Sequence, residues 1–213
     1  MKQLPVYAKI LPRLDNQRVW IACSGGLDSV FAATYLNHTR SIGLAYFNHG
    51  TEHAHEAEQF VRTLAANNRW PCTFGTISLA RPRGLSAEEH WRNERYRFLN
   101  ELGPAVVTGH HLGDAVETWV WSSCHGKPTL PHLHINNVYR PFLACKKSAM
   151  QAYLERRNVQ WIEDPSNLDP AYTRNHIRLN VLPTLYKVNP GLDTVIQKKI
   201  EAAVTLEMIK QTS

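Results

Sequence analysis

Cys23-Ser24-Gly25-Gly26-Leu27-Asp28-Ser29 follows the apolar run Val19-Trp20-Ile21-Ala22 and precedes the apolar-rich run Val30-Phe31-Ala32-Ala33-Thr34-Tyr35-Leu36. The succession reads as strand, tight glycine turn, helix. Such a turn presents backbone N–H groups at the positive end of a helix, a setting that favours phosphate. Gly25 and Gly26 let the backbone approach an anion, and Ser24 and Ser29 add hydroxyl donors. Asp28 is the odd member. A carboxylate beside a phosphate repels it unless it serves a cation, a proton transfer or a partner amine. Two better-known phosphate loops are absent: neither G-x-x-x-x-G-K-[ST] nor G-x-G-x-x-G occurs.

Outward from this turn, strand and helix patterns alternate. Strands are expected at Val19–Cys23, Ile42–Asn48, Cys72–Ile77 and Ala105–Gly109. Helices are expected at Asp28–Asn37, Ala54–Asn67, Ser86–Leu102 and Gly113–Ser123, with Ser86 and Glu89 forming a capping box. The alternation predicts an α/β fold with a doubly wound, mostly parallel sheet, whose ligands sit at the carboxyl ends of the strands. Ser24–Ser29, Asn48–Gly50 and His110–Asp114 all fall at such ends. Before the first strand a short helix over Val6–Leu14 is expected. Residues 125–140 read as an irregular loop, Tyr139–Leu143 as a short strand or extended piece, Lys146–Asn158 as a helix and Glu163–Arg174 as a loop. Arg174–Leu185 and Thr194–Lys210 read as helices split by Asn189-Pro190-Gly191. The expected organisation is a nucleotide-binding domain over residues 1–145 with a helical extension, 146–213, packed on it.

The chain has 213 residues, enough for one sizeable core or a domain with an appendage. No apolar run approaches a membrane span, and the N-terminus lacks the apolar stretch of a signal peptide. Four cysteines lie far apart with no C-x-x-C pair, which fits a reduced, cytoplasmic protein. A net charge of +6 is compatible with RNA or nucleotide partners without establishing them.

Four further stretches carry chemistry. In Thr108-Gly109-His110-His111-Leu112-Gly113-Asp114-Ala115-Val116-Glu117-Thr118, Asp114 and Glu117 share a helix face. Beside a phosphate loop, two carboxylates there could hold Mg²⁺ or take a proton; alone they would be ordinary helix-start acids. Phe47-Asn48-His49-Gly50 could line an adenine or ribose, and a simple turn accounts for His49 equally well. His49, His53 and His55 lack the partners of a zinc site. In Glu88-Glu89-His90-Trp91-Arg92-Asn93-Glu94-Arg95-Tyr96-Arg97, Arg92 and Arg95 share a face suited to phosphate, although solvated Glu–Arg pairs are the commoner fate of such runs. Trp161-Ile162-Glu163-Asp164-Pro165-Ser166-Asn167 and Arg174-Asn175-His176-Ile177-Arg178 could form a basic strip toward a substrate, or a capped loop and a half-buried helix.

In order along the chain, S-G-G-L-D-S, F-N-H-G, E-E-H-W-R-N-E-R-Y, H-H-L-G-D-A-V-E-T, R-P-F-L and W-I-E-D-P-S-N…R-N-H-I-R resemble the N-terminal PP-loop ATP-pyrophosphatase domain of tRNA(Ile)-lysidine synthases, over roughly residues 19–185. The first motif marks only the superfamily; the last two are the most specific. The resemblance implies an adenine nucleotide alpha hydrolase-like fold and an ATP-dependent carbon–nitrogen ligase. Its substrates would be ATP, free L-lysine and an isoleucine tRNA with a CAU anticodon. It implies that Ser24, Gly25, Gly26, Leu27, Asp28 and Ser29 hold the leaving pyrophosphate, with Asn48 and His49 on the nucleoside side. Asp28 and Asp114 would position Mg²⁺ or the lysine amine, and Glu117 would steer the ammonium group or accept its proton. His110 and Arg92 would stabilise developing charge, and Arg95, Arg174, Asn175 and Arg178 would face substrate or tRNA.

Gly113 departs from the resemblance, where Asp or Asn is common, and Cys124–Asn137 differs from the usual glycine-rich stretch. The chain reads as a short form without the C-terminal domains of full-length relatives. Two alternatives stay open: another PP-loop enzyme such as a tRNA thiolase, and a non-catalytic nucleotide- or RNA-binding module. Thiolases often carry C-x-x-C pairs, and a degenerate module would be expected to lose Asp28, Asp114 and Glu117. Oligomeric state, a homodimer included, is left open.

Overall fold

A computed structural model describes residues 4–12, 14, 17–163 and 173–212. The strands are β1 (Val19–Ala22), β2 (Ile42–Asn48), β3 (Cys72–Thr76), β4 (Val106–Val107), β5 (His134–Ile135) and β6 (Val138–Tyr139). The helices are α1 (Leu27–Leu36), α2 (Ala54–Asn68), α3 (Ala87–Asn100), α4 (Leu112–Cys124), α5 (Lys147–Glu155), α6 (Thr173–His176), α7 (Leu182–Val188) and α8 (Leu192–Thr212).

The six strands form one sheet in the order β3-β2-β1-β4-β6-β5. All neighbours are parallel except β5, which runs antiparallel to β6. β2 is buried from Ile42 to Phe47, because a central parallel strand is covered on both faces and carries an unbroken apolar run. The chain winds outward from β1 through β2 to β3, then returns across β1 to β4. The winding therefore reverses between β1 and β4, and the exits of these two strands form the crevice where open α/β sheets bind ligands.

Three apolar clusters hold the layers. On one face, Phe31 of α1 meets Phe142 at 5.2 Å and Tyr153 of α5 at 5.3 Å, both edge-on. Leu36, Val61 and Ala65 extend that core to α2. On the other face, Trp20, Tyr96 and Phe98 pack around Ala45, Leu99 and Val106. The third cluster joins α4 (Leu112, Ala115, Val116, Val120) to Ile177, Leu182 and the Ile196, Ile200, Val204 stripe of α8, which repeats every four residues on one helix face. α5 thus belongs to the layer over the sheet, while the helices after residue 173 are anchored on α4.

The elements match the sequence pattern in kind and order, with local differences. The expected helix at Val6–Leu14 shrinks to one 3₁₀ turn, Ala8–Ile10. Ser86 caps α3 by accepting the Glu89 amide. Ala105–Gly109 contributes only two ladder residues, because the chain leaves the sheet at Thr108 to build the site. Residues 125–140 contain a small hairpin, β5–β6, turned at Asn136 with φ 52°, a left-handed conformation that asparagine tolerates. The expected helix Arg174–Leu185 is widened into a π-helical turn over Ile177–Val181, where the Leu182 amide bonds five residues back to Ile177. Pro183 follows at once and has no N–H to continue an ordinary ladder. Asp164, Pro165, Ser166 and Asn167 lie outside the described residues.

Gly109 fixes the distance between the two crevice-forming segments. A Cβ there would lie 2.4 Å from the Asp28 carbonyl oxygen and 2.9 Å from the Ser29 nitrogen, both backbone atoms. Gly109→Ala is expected to destabilise the chain by about 1–3 kcal/mol through forced separation of β4 from α1. Thermal melting checks it: the melting temperature should fall, and an unchanged one would contradict the close approach.

Candidate active site at the β1–β4 edge

The loop after β1 is braced from within. Ser29 is buried; its Oγ accepts the Ser24 amide at 3.1 Å and donates to the Gly26 carbonyl at 2.9 Å. Ser24 is exposed, and its Oγ accepts the Gly26 amide at 3.4 Å. Gly25 sits at φ 84°, where a Cβ would be strained and would strike Ile162 at 2.9 Å. Among the described residues no side chain caps α1 at Gly26; the Ser29 amide turns back to the Gly26 carbonyl at 3.1 Å, and the Asp28 amide is left for solvent or an anion. Leu27 is buried and anchors that turn in the core. Ile162 donates its amide to the Gly25 carbonyl at 3.0 Å. The W-I-E segment therefore closes the outer side of the loop, which the sequence pattern did not reveal.

The second segment brings acids to the same place. His111 caps α4: its Nδ1 accepts the Gly113 amide at 2.9 Å, and Asp114 Oδ2 accepts the His111 amide at 2.8 Å. The other ring nitrogen, Nε2, lies 3.6 Å from Asp28 Oδ1. Lys147 Nζ stands 3.9 Å from Asp28 Oδ2. Burial is the largest influence on Asp28 and raises its pKa above the usual carboxylate value, against the lowering fields of His111 and Lys147. Burial also acts to raise Asp114, but His111 and its amide bond oppose it, and Asp114 is held below the usual value.

Glu117 is buried on α4 and pairs with Arg178 from the π-helical turn. Nε meets Oε1 at 2.6 Å and Nη2 meets Oε2 at 3.0 Å. Burial still raises the Glu117 pKa on balance, with the Arg178 bonds opposing it. Two residues expected to face substrate are thus joined to each other. Beside them opens a pocket of about 260 Å³ lined by His111, Gly113, Glu117, Lys147, Arg178 and Tyr186, with Leu182 and Pro183 as an apolar wall.

The third group is cationic. His49 packs against Phe47 at 5.0 Å and Trp91 at 6.1 Å; burial, then the field of Arg95, pushes its pKa down to about 4. Arg95 Nε is buried without a hydrogen-bond partner among the described residues. Burial and the fields of Arg92, Arg174 and Arg140 lower the Arg95 pKa. Arg92 lies over the Tyr96 ring at 5.0 Å. Arg140, buried, donates to the Tyr96 hydroxyl and the His132 carbonyl, each at 2.6 Å. His110 hydrogen-bonds Thr108 Oγ1 at 2.7 Å, and burial, aided by Arg140, Arg95 and Arg174, keeps its ring neutral. β2, β1 and β4 are parallel neighbours, and His111 reaches Asp28 at 3.6 Å, so the loops that follow these strands lie at one edge of the sheet. Among the described residues, none of these four arginines has an acidic partner within ion-pair distance.

The remaining expected residues have plainer surroundings. Asn48 donates to Glu58 at 3.3 Å and accepts the Gly50 amide at 2.8 Å. Asn175 is buried in α6. The Glu–Arg pairing foreseen for α3 belongs to its other face: Glu94 takes bonds from Arg97 and the Ser78 and Leu79 amides, which hold its pKa down to about 2. Arg140, His111 and Lys147 join the site without having been singled out. The R-P-F-L motif and the doubled histidine were the available signals; Lys147 carried none.

Removing Arg178 leaves a buried carboxylate without its partner. Arg178→Ala is expected to cost about 3 kcal/mol at pH 7. The double variant Arg178→Ala/Glu117→Gln should recover part of that loss, because the stranded charge is gone. Urea unfolding of the three variants checks it; additive effects of the two substitutions would contradict the pairing.

A profile described as a PP-loop domain matches residues 3–185. Among curated relatives, tRNA(Ile)-lysidine synthase of Thermus thermophilus is 33% identical over 212 residues, 93% of this chain and 42% of that protein. The enzymes of that name from Parabacteroides distasonis and Thermosipho africanus are 31% and 28% identical, with 92% and 88% of this chain and 48% of each protein covered. The chain therefore spans somewhat less than half the length of these relatives. Among solved structures, the U34-tRNA thiolase NcsA from Methanococcus maripaludis, carrying a [4Fe-4S] cluster, superposes with a TM-score of 0.72 at 16% identity, covering 92% of this chain and 76% of that one. That likeness concerns the fold alone. With the profile match running from before β1 into α7 and with the glycine loop, acids and arginines gathered at one edge, the chain belongs to the PP-loop domain family.

Proposed function

We propose that this chain carries the ATP-dependent chemistry of a tRNA(Ile)-lysidine synthase. The C2 oxygen of the wobble cytidine, in an isoleucine tRNA with a CAU anticodon, attacks the α-phosphate of ATP and releases pyrophosphate. The ε-amine of free lysine then attacks C2, loses a proton and expels AMP, leaving lysidine. The observation that carries this reading is the adjacency of an uncapped helix terminus suited to phosphate and a pocket of about 260 Å³ in which Glu117 stands beside Arg178, Lys147 and His111.

Each residue then has a physical task. Ser24 and the amides from Gly25 to Asp28 grip the leaving pyrophosphate, while Leu27 and Ser29 hold the loop's shape. Asn48 and His49 border the nucleoside. The neutral His110 donates a hydrogen bond, and Arg92 and Arg95 supply fixed positive charge near the α-phosphate. Arg174 and Asn175 face the tRNA side. The pocket's apolar wall suits the methylenes of lysine, with Arg178 toward its carboxylate and Glu117 toward its ammonium group.

The donor set fits Mg²⁺. Among the described residues the Asp28 carboxylate accepts no hydrogen bond, and Oδ1 is buried. Mg²⁺ commonly binds through one or two carboxylates plus substrate phosphates, so Asp28 with Asp114 would hold an ion that arrives with ATP. When bound, it would neutralise charge on the leaving pyrophosphate. A thiolase is the second reading, favoured by the fold likeness alone. Among the described residues no group of three or more His, Cys, Asp or Glu side chains is placed to hold a metal ion, so the cysteines present do not fit an iron–sulfur cluster. No helix among the described residues is long and apolar enough to cross a membrane, which agrees with a proposed cytoplasmic location.

Labelled lysine should enter an isoleucine tRNA with a CAU anticodon in an ATP-dependent reaction that releases pyrophosphate. Release that ignores lysine would end the lysidine reading and spare the PP-loop chemistry. Asp28→Asn should abolish turnover yet raise the melting temperature at pH 7. The folded Asp28 pKa is raised, so its neutral form is the one that folding favours, and stability falls as pH rises through that pKa. Asparagine mimics the neutral form, so the gain should vanish at low pH, where wild-type Asp28 is protonated too. An active or destabilised Asp28→Asn chain would contradict the role.

A further inference from the structure

The His111 ring joins two helix starts. Its Nδ1 accepts the Gly113 amide hydrogen at 2.9 Å. A ring nitrogen that accepts from an amide carries no proton, so the neutral imidazole holds its hydrogen on Nε2. Nε2 faces Asp28 Oδ1 at 3.6 Å, and that oxygen is buried and accepts no hydrogen bond among the described residues. A donor of fixed tautomer is thus directed at a buried acceptor. The separation is longer than a hydrogen bond, as such pairs often are in ligand-free sites before substrate tightens them. Gly113 makes room for the ring: a Cβ there would stand 2.7 Å from His111 Cε1 and 3.1 Å from Nδ1. Asp114 completes the arrangement by accepting the His111 backbone amide, with its Oδ2 3.7 Å from Nδ1. On the other flank of Asp28, Lys147 approaches Oδ2 at 3.9 Å.

We propose that His111 is the positioning residue for Asp28. Held in its Nε2–H tautomer by the Gly113 amide, it secures one carboxylate oxygen and leaves the other turned to the nucleotide and its cation. What Asp28 then does rests on the ligase reading; the contact itself does not. The competing role is a plain cap on α4, served by Nδ1 alone.

The two roles separate because each amide side chain imitates one ring nitrogen. Asparagine places an oxygen near Nδ1 and caps well, but cannot reach Asp28. Glutamine places an NH₂ near Nε2. His111→Asn is expected to melt within about 3 °C of wild type, while kcat for pyrophosphate release falls about 10–100-fold with the ATP KM little changed. His111→Gln is expected to melt lower and to recover most of kcat. The reverse pattern, an active Asn variant and an inactive Gln variant, would overturn the proposal.

A second readout is independent of turnover. Nitrogen NMR of the wild-type ring should report the Nε2–H tautomer, and Asp28→Asn should shift that Nε2 resonance. An Nδ1–H tautomer, or a resonance indifferent to Asp28→Asn, would overturn the proposal whatever the activity. If the NMR signature is present but wild type releases no pyrophosphate, the ligase reading falls and the His111–Asp28 contact stands.

Discussion

The site depends on how closely two backbones approach. Where β4 ends, Gly109 lies against the Asp28 carbonyl at a distance that no side chain permits. That contact sets the glycine loop, which supplies amides, beside the His110–Asp114 segment, which supplies acids. The switch in winding direction between β1 and β4 opens the crevice, and the glycine decides its width. The core serves the same end. Leu27 and Ser29 tie the loop to the sheet, and Leu112, Ala115 and Val116 tie α4 to the helices that carry Arg178.

Charge is distributed in two styles. Glu94 and Arg97 on the outer face of α3 satisfy each other and nearby amides, as a pair that serves the fold does. In the crevice the compensation is partial. Asp28 has neighbours at 3.6 and 3.9 Å but no hydrogen bond among the described residues, and burial keeps it reluctant to ionise. Arg92, Arg95, Arg140 and Arg174 oppose one another's charge or that of His49 and His110. Such an arrangement is costly in the empty protein. It would become favourable on joint entry of a polyanion and a cation, such as the proposed ATP and Mg²⁺. Glu117 and Arg178 stand between the two styles: paired, yet lining the pocket.

Much of this was legible in the sequence because the signals were local. The unbroken apolar run of β2, the glycine turn before α1 and the alternation of strand and helix each follow from a few neighbouring residues. The meeting of Ser24–Ser29, Asn48–Gly50 and His110–Asp114 followed from strand polarity alone. What the sequence hid was long-range. Nothing near Glu117 announces Arg178, which reaches it through a π-helical turn that sequence periodicity reads as ordinary helix. Arg140 lies in a strand-end motif whose role emerges only when it meets Tyr96 across the sheet. Of two adjacent histidines, the sequence favoured His110; the ring of His111 is the one placed between acids, because Gly113 leaves it space. The β5–β6 hairpin escaped because each strand has only two residues, too few for alternation to show.

The central claim is that the β1–β4 crevice grips the triphosphate of ATP through the first turn of α1. A crystal structure with a non-hydrolysable ATP analogue and Mg²⁺ tests it most directly. The account predicts the β- and γ-phosphates on the amides between Gly25 and Asp28, the cation at Asp28, and the α-phosphate open toward the Glu117 pocket. A nucleotide seated elsewhere on the sheet, or one whose phosphates leave the α1 terminus untouched, would contradict it.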